Sequence, residues 1–486
     1  MKKVQIILII LLLYVSNLNA QNLHDANWIM GYNTVDNTKK EGVWLKFTNK
    51  SVGVSYLENE MQTRVANTSI SNNKGALIAY TNGCYIANNT NQIMDNGGGL
   101  NPSKQSDNYC KYGSPINSSV IFLPHPSDTS LIYLFQLGSG YSNDLIYYQN
   151  SLIHSIIDRK INKQGVVTTK NKTIFSDTLT DGMLNAVKHA DGKSWWVIIP
   201  KKASNAYHSI LFSKDGIEQK KIQKIGYSFS FYDYSGQAVF SPDGTKYARA
   251  DPNNVLEIMD FDRCSGRFLN PKILKLPDTL FCGVAFSPNS RFLYLTSGFT
   301  KLYQYDMWAN DIEKSAELID IYNGYKSLNA AIFLECQLAP DGKIYLAPHL
   351  TDVIHVINNP NLKGKACNFQ QQGLKLPTWT STIPLFPNYR LGATSAPCIT
   401  AVKDDLVQED VTLFPNPVQN NLDIILKEVS SGKVCLINQL GQVLHYQLFT
   451  DKNEVNVELN GISQGIYFIR VEINNRIVTT QKIVIQ

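Results

Sequence analysis

Charge is scarce in this chain. Asp, Glu, Lys and Arg make up only 17% of 486 residues, and the formal net charge is +5. No block of like charges occurs, so no basic stripe is available for a phosphate backbone, and a nucleic-acid partner gains no support. Reaction motifs are missing as well. There is no His-Glu-x-x-His, no Gly-x-Ser-x-Gly and no phosphate loop. The eight cysteines include no Cys-x-x-Cys pair, which argues against a zinc ribbon or a thioredoxin-type centre. No catalytic residue, metal ligand set or cofactor motif stands out, so the expectation is no cofactor. Past the first twenty residues no apolar run approaches the roughly 20 needed for a membrane helix, and the chain is expected not to span a membrane.

What the chain does have is aromatic side chains, 25 Tyr and 20 Phe, the composition of a β protein. At its start Lys2 and Lys3 precede an apolar run from Val4 to Val15, and Ala20 stands before Gln21. This reads as a signal peptide over residues 1–20, with Leu18 an unusual residue three positions before the cut. No cysteine follows the apolar run, which argues against a lipoprotein.

The middle of the chain repeats an apolar strand, a Pro-Asp-Gly-like turn and a second aromatic strand. The turns centre on Asp191, Asp243, Asn289 and Asp341, in steps of 52, 46 and 52 residues. Proline presets the first corner of such a turn, and glycine takes its left-handed position. A period near 50 with this content indicates propeller blades. Looser copies lie around Val120–Phe135 and Ser69–Tyr80, while Trp44–Tyr56 and Trp379–Leu391 stay unassigned. About 370 residues at about 50 per blade predict seven blades, with six as the alternative. Ring closure is expected to mix segments from both chain ends in one blade.

The tail departs from this period. Phe414-Pro415-Asn416-Pro417 opens it, a turn at Gly441-Gln442-Val443 follows, and Gly465-Ile466-Tyr467 starts a strand that alternates to Ile473. Lys482 stands just before its end. The expected fold is therefore all-β: a propeller over 21–398, a polar linker over 399–410, and a small Ig-like antiparallel sandwich over 411–486.

As a set, Pro415, Asn416, Pro417, Gly441, Gly465, Tyr467 and Lys482 resemble the C-terminal sorting domain of type IX secretion cargo. That resemblance implies a partner, the outer-membrane type IX machinery, and a destination outside the cell or on its surface by way of the periplasm. The propeller part is similar to the WD-repeat-like and TolB-like propellers of secreted bacterial proteins. It is closer still to a group of exported proteins with this same tail and no assigned activity, through Asp260-Phe261-Asp262-Arg263-Cys264-Ser265-Gly266, Leu338-Ala339-Pro340-Asp341-Gly342 and Ile383-Pro384-Leu385-Phe386-Pro387-Asn388-Tyr389-Arg390.

Candidate site residues follow from the blade pattern. Asn185, Gln237 and Glu335 take equivalent positions at the start of inner strands, where several blades converge on a channel. Tyr227, Phe229 and Phe231 share one face of an alternating stretch, and either pack between blades or form an aromatic platform for sugar rings or a peptide. Cys84 with Cys110 and Cys264 with Cys282 are the closest cysteine pairs, each either a disulfide or two buried thiols. His349 and His355 read as polar strand positions rather than metal ligands. Asp260 and Asp262 lack the ligand spacing of an EF-hand and read as turn residues. The functional expectation is a ligand- or protein-binding module for an extracellular glycan or protein, without catalysis. The alternative is a secreted propeller hydrolase acting on glycans or lactones.

Overall fold

The computed structural model describes residues 22–486 apart from 33–40, 142–146, 230–235, 252–254, 276–282, 396–397, 399–410, 439–440 and 474–475. The expected signal peptide and the expected linker lie outside the described residues. Two compact units emerge, Met1–Pro397 and Cys398–Gln486.

Among the described residues, the first unit is built from seven antiparallel sheets. They are β1 (Asn27–Met30), β2 (Glu41–Phe47) and β3 (Val52–Glu58); then β4 (Thr68–Ser71), β5 (Leu77–Thr81) and β6 (Ile86–Asn88). After a short helix α1 (Lys104–Tyr109) come β7 (Val120–Pro124), β8 (Leu131–Tyr141), β9 (Tyr147–Asp158) and β10 (Val166–Leu179). The fourth sheet holds β11 (Asn185–Lys188), β12 (Trp195–Pro200), β13 (Ala206–Ser213) and β14 (Gly216–Lys224). The fifth holds β15 (Gln237–Phe240), β16 (Lys246–Asp251), β17 (Val255–Asp262) and β18 (Arg267–Lys275). The sixth holds β19 (Val284–Phe286), β20 (Phe292–Ser297), β21 (Lys301–Asp306) and β22 (Glu317–Ile321). The seventh holds β23 (Cys336–Leu338), β24 (Ile344–Leu346), β25 (Thr351–Ile357) and β26 (Phe369–Thr380). Each is a simple meander, and the fold is a seven-bladed propeller.

The repeated turns explain their own sequence. In each copy the Asp or Asn side chain accepts from the amide two residues on, as Asp243 does from Thr245 at 3.0 Å and Asp341 from Lys343 at 3.1 Å. The residue after it adopts the left-handed conformation, Gly244 at φ +73° and Ser290 at φ +61°, which glycine adopts without a Cβ clash.

The ring closes through both chain ends. β1 runs opposite to the segment leading into β4: Asn27 donates to Ser71 Oγ at 2.8 Å, and the Gly31 carbonyl accepts from Thr63 N at 2.8 Å. β1 thus has the direction of a second strand. The innermost place is filled by residues 382–387, where Phe386 N donates to Gln337 Oε1 at 3.0 Å and the Leu385 carbonyl accepts from Thr68 Oγ1 at 3.5 Å. Between blades the packing is apolar and aromatic. Trp28 meets Tyr345 edge-on at 5.6 Å, tying the first sheet to the seventh. Such side chains each contribute about 1.5–3 kcal/mol when fully buried.

The second unit holds β27 (Val411–Phe414), β28 (Asn421–Ile437), β29 (Val443–Glu458), β30 (Gly465–Ile473) and β31 (Arg476–Ile485). The first part of β28 pairs with β27 and its last part with β30. Register shifts between Ile425 and Gly432 let one long strand serve both pairings. Its core gathers Val418, Leu422, Ile424, Leu436, Ile469, Val471 and Ile483.

Candidate functional site

The inner strands all start at one end of the ring, the mouth. Asn185, Gln237 and Glu335 stand there, but their side chains are spent on neighbouring blades. The innermost edge of a propeller has no further strand, so its backbone groups need other partners. Gln237 supplies them across two blades: its Oε1 accepts from Val284 N at 3.1 Å and Cys336 N at 3.0 Å, and its Nε2 donates to the Cys336 carbonyl at 2.7 Å. Asn185 donates to the Ala238 carbonyl at 2.7 Å. Glu335 accepts from Asn117 Nδ2 at 3.0 Å. Asn117 leads into the third blade and Glu335 into the seventh, so this bond crosses the axis. Gln237 and Glu335 are only 3% and 5% exposed, so neither lines an open channel. Burial pushes the Glu335 carboxyl up to about 7.

The far end of the axis is closed by residues 388–394. Tyr389, fully buried, donates to the Phe122 carbonyl at 2.6 Å and meets Trp195 edge-on at 5.7 Å. Arg390 forms a two-point pair with buried Asp25, at 2.5 and 2.8 Å. Asn388 donates to the Pro242 carbonyl at 2.7 Å, and Thr394 N to the Ala190 carbonyl at 2.9 Å. Two small voids flank Phe386, of about 40 and 20 Å³. That suits a few water molecules and is far below the ~300 Å³ at which ligand pockets begin.

At the same end of the ring lies a group that no local sequence pattern marks. Tyr32 and Tyr112 meet edge-on at 6.1 Å, and Lys111 Nζ sits 4.5 Å over the Tyr112 ring. The Arg64 amide donates to the Tyr112 carbonyl at 3.0 Å, and the Arg64 charge acts on both Tyr32 and His349. His349 in turn contacts Ser381 at 2.6 Å. Burial lowers the His349 imidazole below its ordinary range. These residues follow β1, precede β4, follow α1 and follow β24. Only the closed ring brings them to one rim, where Tyr32 is buried and the part-exposed Tyr112 ring lies beside cations.

The aromatic stretch divides. Residues 225–229 belong to no strand, against the alternation of their sequence, and Phe231 lies outside the described residues. Phe229 is 2% exposed, with the Arg249 guanidinium 3.4 Å over its ring. Arg249 also reaches Tyr207 Oη at 3.4 Å, and that hydroxyl donates to Glu257. The Tyr227 amide donates to Glu257 Oε1 at 2.7 Å, while the Tyr227 ring is 39% exposed. A Cβ on Gly226 would stand 1.8 Å from Glu257 Oε1, so glycine is needed there. Burial raises the Glu257 carboxyl above its ordinary range.

Cys84 and Cys110 form a disulfide. Cys264 and Cys398 are each disulfide-bonded as well; Cys282, the residue expected to pair with Cys264, lies outside the described residues. His355 is fully buried; its ring nitrogens contact the Ala331 carbonyl at 2.9 Å and Gln372 N at 3.1 Å. Asp262 accepts from Cys264 N at 2.9 Å, and Asp260 from Lys246 at 2.7 Å. No group of three metal-ligating side chains occurs among the described residues, and no helix among them is long and apolar enough to cross a membrane.

In the second unit the sorting residues join across the sheet. Asn416 Nδ2 donates to the Lys482 carbonyl and its Oδ1 accepts from Val484 N, both at 2.9 Å. Pro415 and Pro417 flank it with cis peptide bonds. Gly441 takes φ +82° in its turn, and Tyr467 Oη donates to the Ser463 carbonyl at 2.9 Å. Gly465 opens β30.

Fold and site define the class: an all-β chain with a propeller and a separate small β-sandwich. Residues 412–486 match the secretion system C-terminal sorting domain. That domain directs export by type IX secretion to the cell surface or beyond and implies contact with the secretion machinery. No curated protein matches the chain. Among solved structures it is similar to a 6-phosphogluconolactonase-like protein of Bacteroides fragilis, at 11% identity and TM-score 0.43, over 73% of this chain and 97% of that one. AztD of Citrobacter koseri is similar at 12% identity and TM-score 0.36, over 74% and 88%. PorZ of Porphyromonas gingivalis, a surface component of the type IX secretion system, is similar at 10% identity and TM-score 0.29, over 92% and 68%. Likenesses this distant say nothing about activity.

Proposed function

We propose that this chain is exported type IX cargo whose propeller is a recognition module without catalysis, binding an extracellular glycan or protein at the rim of its mouth. The observation behind this reading is an axis bridged by side chains among the described residues. Among the described residues, Asn117 and Glu335 bridge one end, residues 388–394 line the other, and the two voids beside Phe386 are small. A partner must then be met on the surface, and the rim of Arg64, Lys111 and Tyr112, with the Tyr112 ring backed by buried Tyr32, offers a ring face for sugars together with cations for acidic groups. The test is an array of neutral and acidic glycans plus an array of purified extracellular proteins, probed with wild type and with Arg64→Gln/Lys111→Gln. Binding that the double variant leaves unchanged would remove the rim.

One observation favours the alternative hydrolase. A Glu335 carboxyl near 7 has the poise of a general acid or base at neutral pH. This reading requires Asn117 to release Glu335 so that substrate can reach it. Turnover of a glycan or lactone by wild type, abolished in Glu335→Gln, would establish it over the binding module.

A further inference from the structure

The sorting unit has a sheet face that its core does not use. Val434, Leu436, Ile469, Val471 and Ile483 point inward, so the residues between them point out. Register partners share a face across neighbouring strands. One outward row therefore runs Tyr446, Cys435, Arg470, and the next runs Ile437, Phe468, Lys482. Cys435 and Ile437 are each 3% exposed beneath these neighbours, whereas Tyr446 is 61% exposed. The face is apolar toward β29 and cationic toward β31.

Its charges are not balanced within the unit. Lys433 is paired with Glu472 at 3.0 Å, but Arg470 and Lys482 have no ion pair among the described residues, and Arg470 Nε is covered without a hydrogen-bond partner. Asn416 fixes the backbone on either side of Ile483 and so holds the Lys482 side chain outward. Tyr and Arg, the pair this face offers in Tyr446 and Arg470, are enriched at the energetic centre of protein interfaces.

We propose that this outward face is what the secretion machinery reads, with Arg470 and Lys482 as its charged contacts and Tyr446 and Phe468 as its apolar ones. The complementary partner is a protein surface carrying carboxylates around an apolar patch. Asn416 is a positioning residue for Lys482. The inference rests on the sorting reading of residues 412–486.

The experiment is export of the full chain in its own host, measured as secreted against periplasmic protein. Arg470→Glu/Lys482→Glu should lower the secreted fraction by at least about tenfold, the effect of losing ~1.4 kcal/mol of binding. The purified variant should melt within about 2 °C of wild type. Arg470→Lys/Lys482→Arg should be exported normally. Should the reversed pair fail to fold, Tyr446→Glu probes the same face from an exposed position and should also be retained. Wild-type export of the reversed pair, or of Tyr446→Glu when the reversed pair misfolds, would overturn the proposal; so would equal retention of the charge-conserving variant. Deletion of 407–486 separates the two readings: export of the truncated chain defeats the sorting assignment itself, whereas its retention alongside export of the reversed pair defeats only this face.

Discussion

Asn117 and Glu335 meet across the axis of the propeller, with amide nitrogen and carboxylate oxygen 3.0 Å apart. They are 218 residues apart in sequence, and their bond joins the third blade to the seventh. Burial holds the Glu335 carboxyl up to about 7, against its ordinary value of 4.5. Between those values the folded chain binds more protons at this site than the unfolded chain, so stability falls as pH rises. The full stability is present below about pH 4.5, and the loss is complete above about pH 7, for a difference of about 3 kcal/mol. The difference in unfolding free energy between wild type and Glu335→Gln, followed from pH 4.5 to 8, should therefore decline with pH. A flat difference would show that Glu335 titrates normally and that the mouth is wet.

Phe229 lies under the Arg249 guanidinium and is 2% exposed. Phe229→Ala should destabilise the propeller by about 3 to 5 kcal/mol, as expected for a large buried aromatic side chain. Denaturant unfolding measures it. An unchanged midpoint would return Phe229 to the role of a binding platform.

The Cys84–Cys110 disulfide spans 26 residues. Loop closure of that size restricts the unfolded chain by about 3.5 kcal/mol. Cys84→Ser/Cys110→Ser should lower stability by about 2–4 kcal/mol, read by unfolding without reductant. The bond closes the loops that carry Lys111 and Tyr112, so the rim should also lose its fixed shape.

The repeated blades were legible because their signal is local. An Asp or Asn that caps the amide two residues on, followed by a left-handed residue, leaves the same short phrase wherever it is used, as at Asp243-Gly244 and Asn289-Ser290. The first two blades have three strands each and lack that full phrase, so they read only faintly. Gln237 and Glu335 stood out as polar residues leading apolar strands. Their position was readable, but their partners were not, because Cys336 and Asn117 are 99 and 218 residues away. The rim was invisible for the same reason: Tyr32, Arg64, Tyr112 and His349 belong to four separate connections. Phe229 shows the opposite failure. Its period-two neighbourhood reads as a strand, yet buried Glu257 accepts from the Tyr227 amide and Arg249 covers the Phe229 ring, and the segment lies outside any sheet.

The rim yields the last prediction. Arg64 forms no ion pair among the described residues, and Lys111 is exposed over the Tyr112 ring. If they meet the ligand, its acidic groups supply the missing charge, and binding should weaken with salt because exposed charges are screened over about 8 Å at physiological ionic strength. Arg64→Gln/Lys111→Gln should then weaken capture by about tenfold or more at low salt, equivalent to ~1.4 kcal/mol. The variant and wild type should converge at about 1 M salt, where the screening length shrinks to about 3 Å. Folding should be nearly indifferent, since neither side chain is tied to a counter-charge and surface changes usually stay within about 0.5 kcal/mol. Tyr112→Ala distinguishes the two kinds of contact. Loss of a stacked sugar ring lowers binding at every salt concentration, whereas loss of a charge matters only when salt is low. A salt-independent wild type would assign recognition to the rings alone, and an unaffected Tyr112→Ala would assign it to the charges.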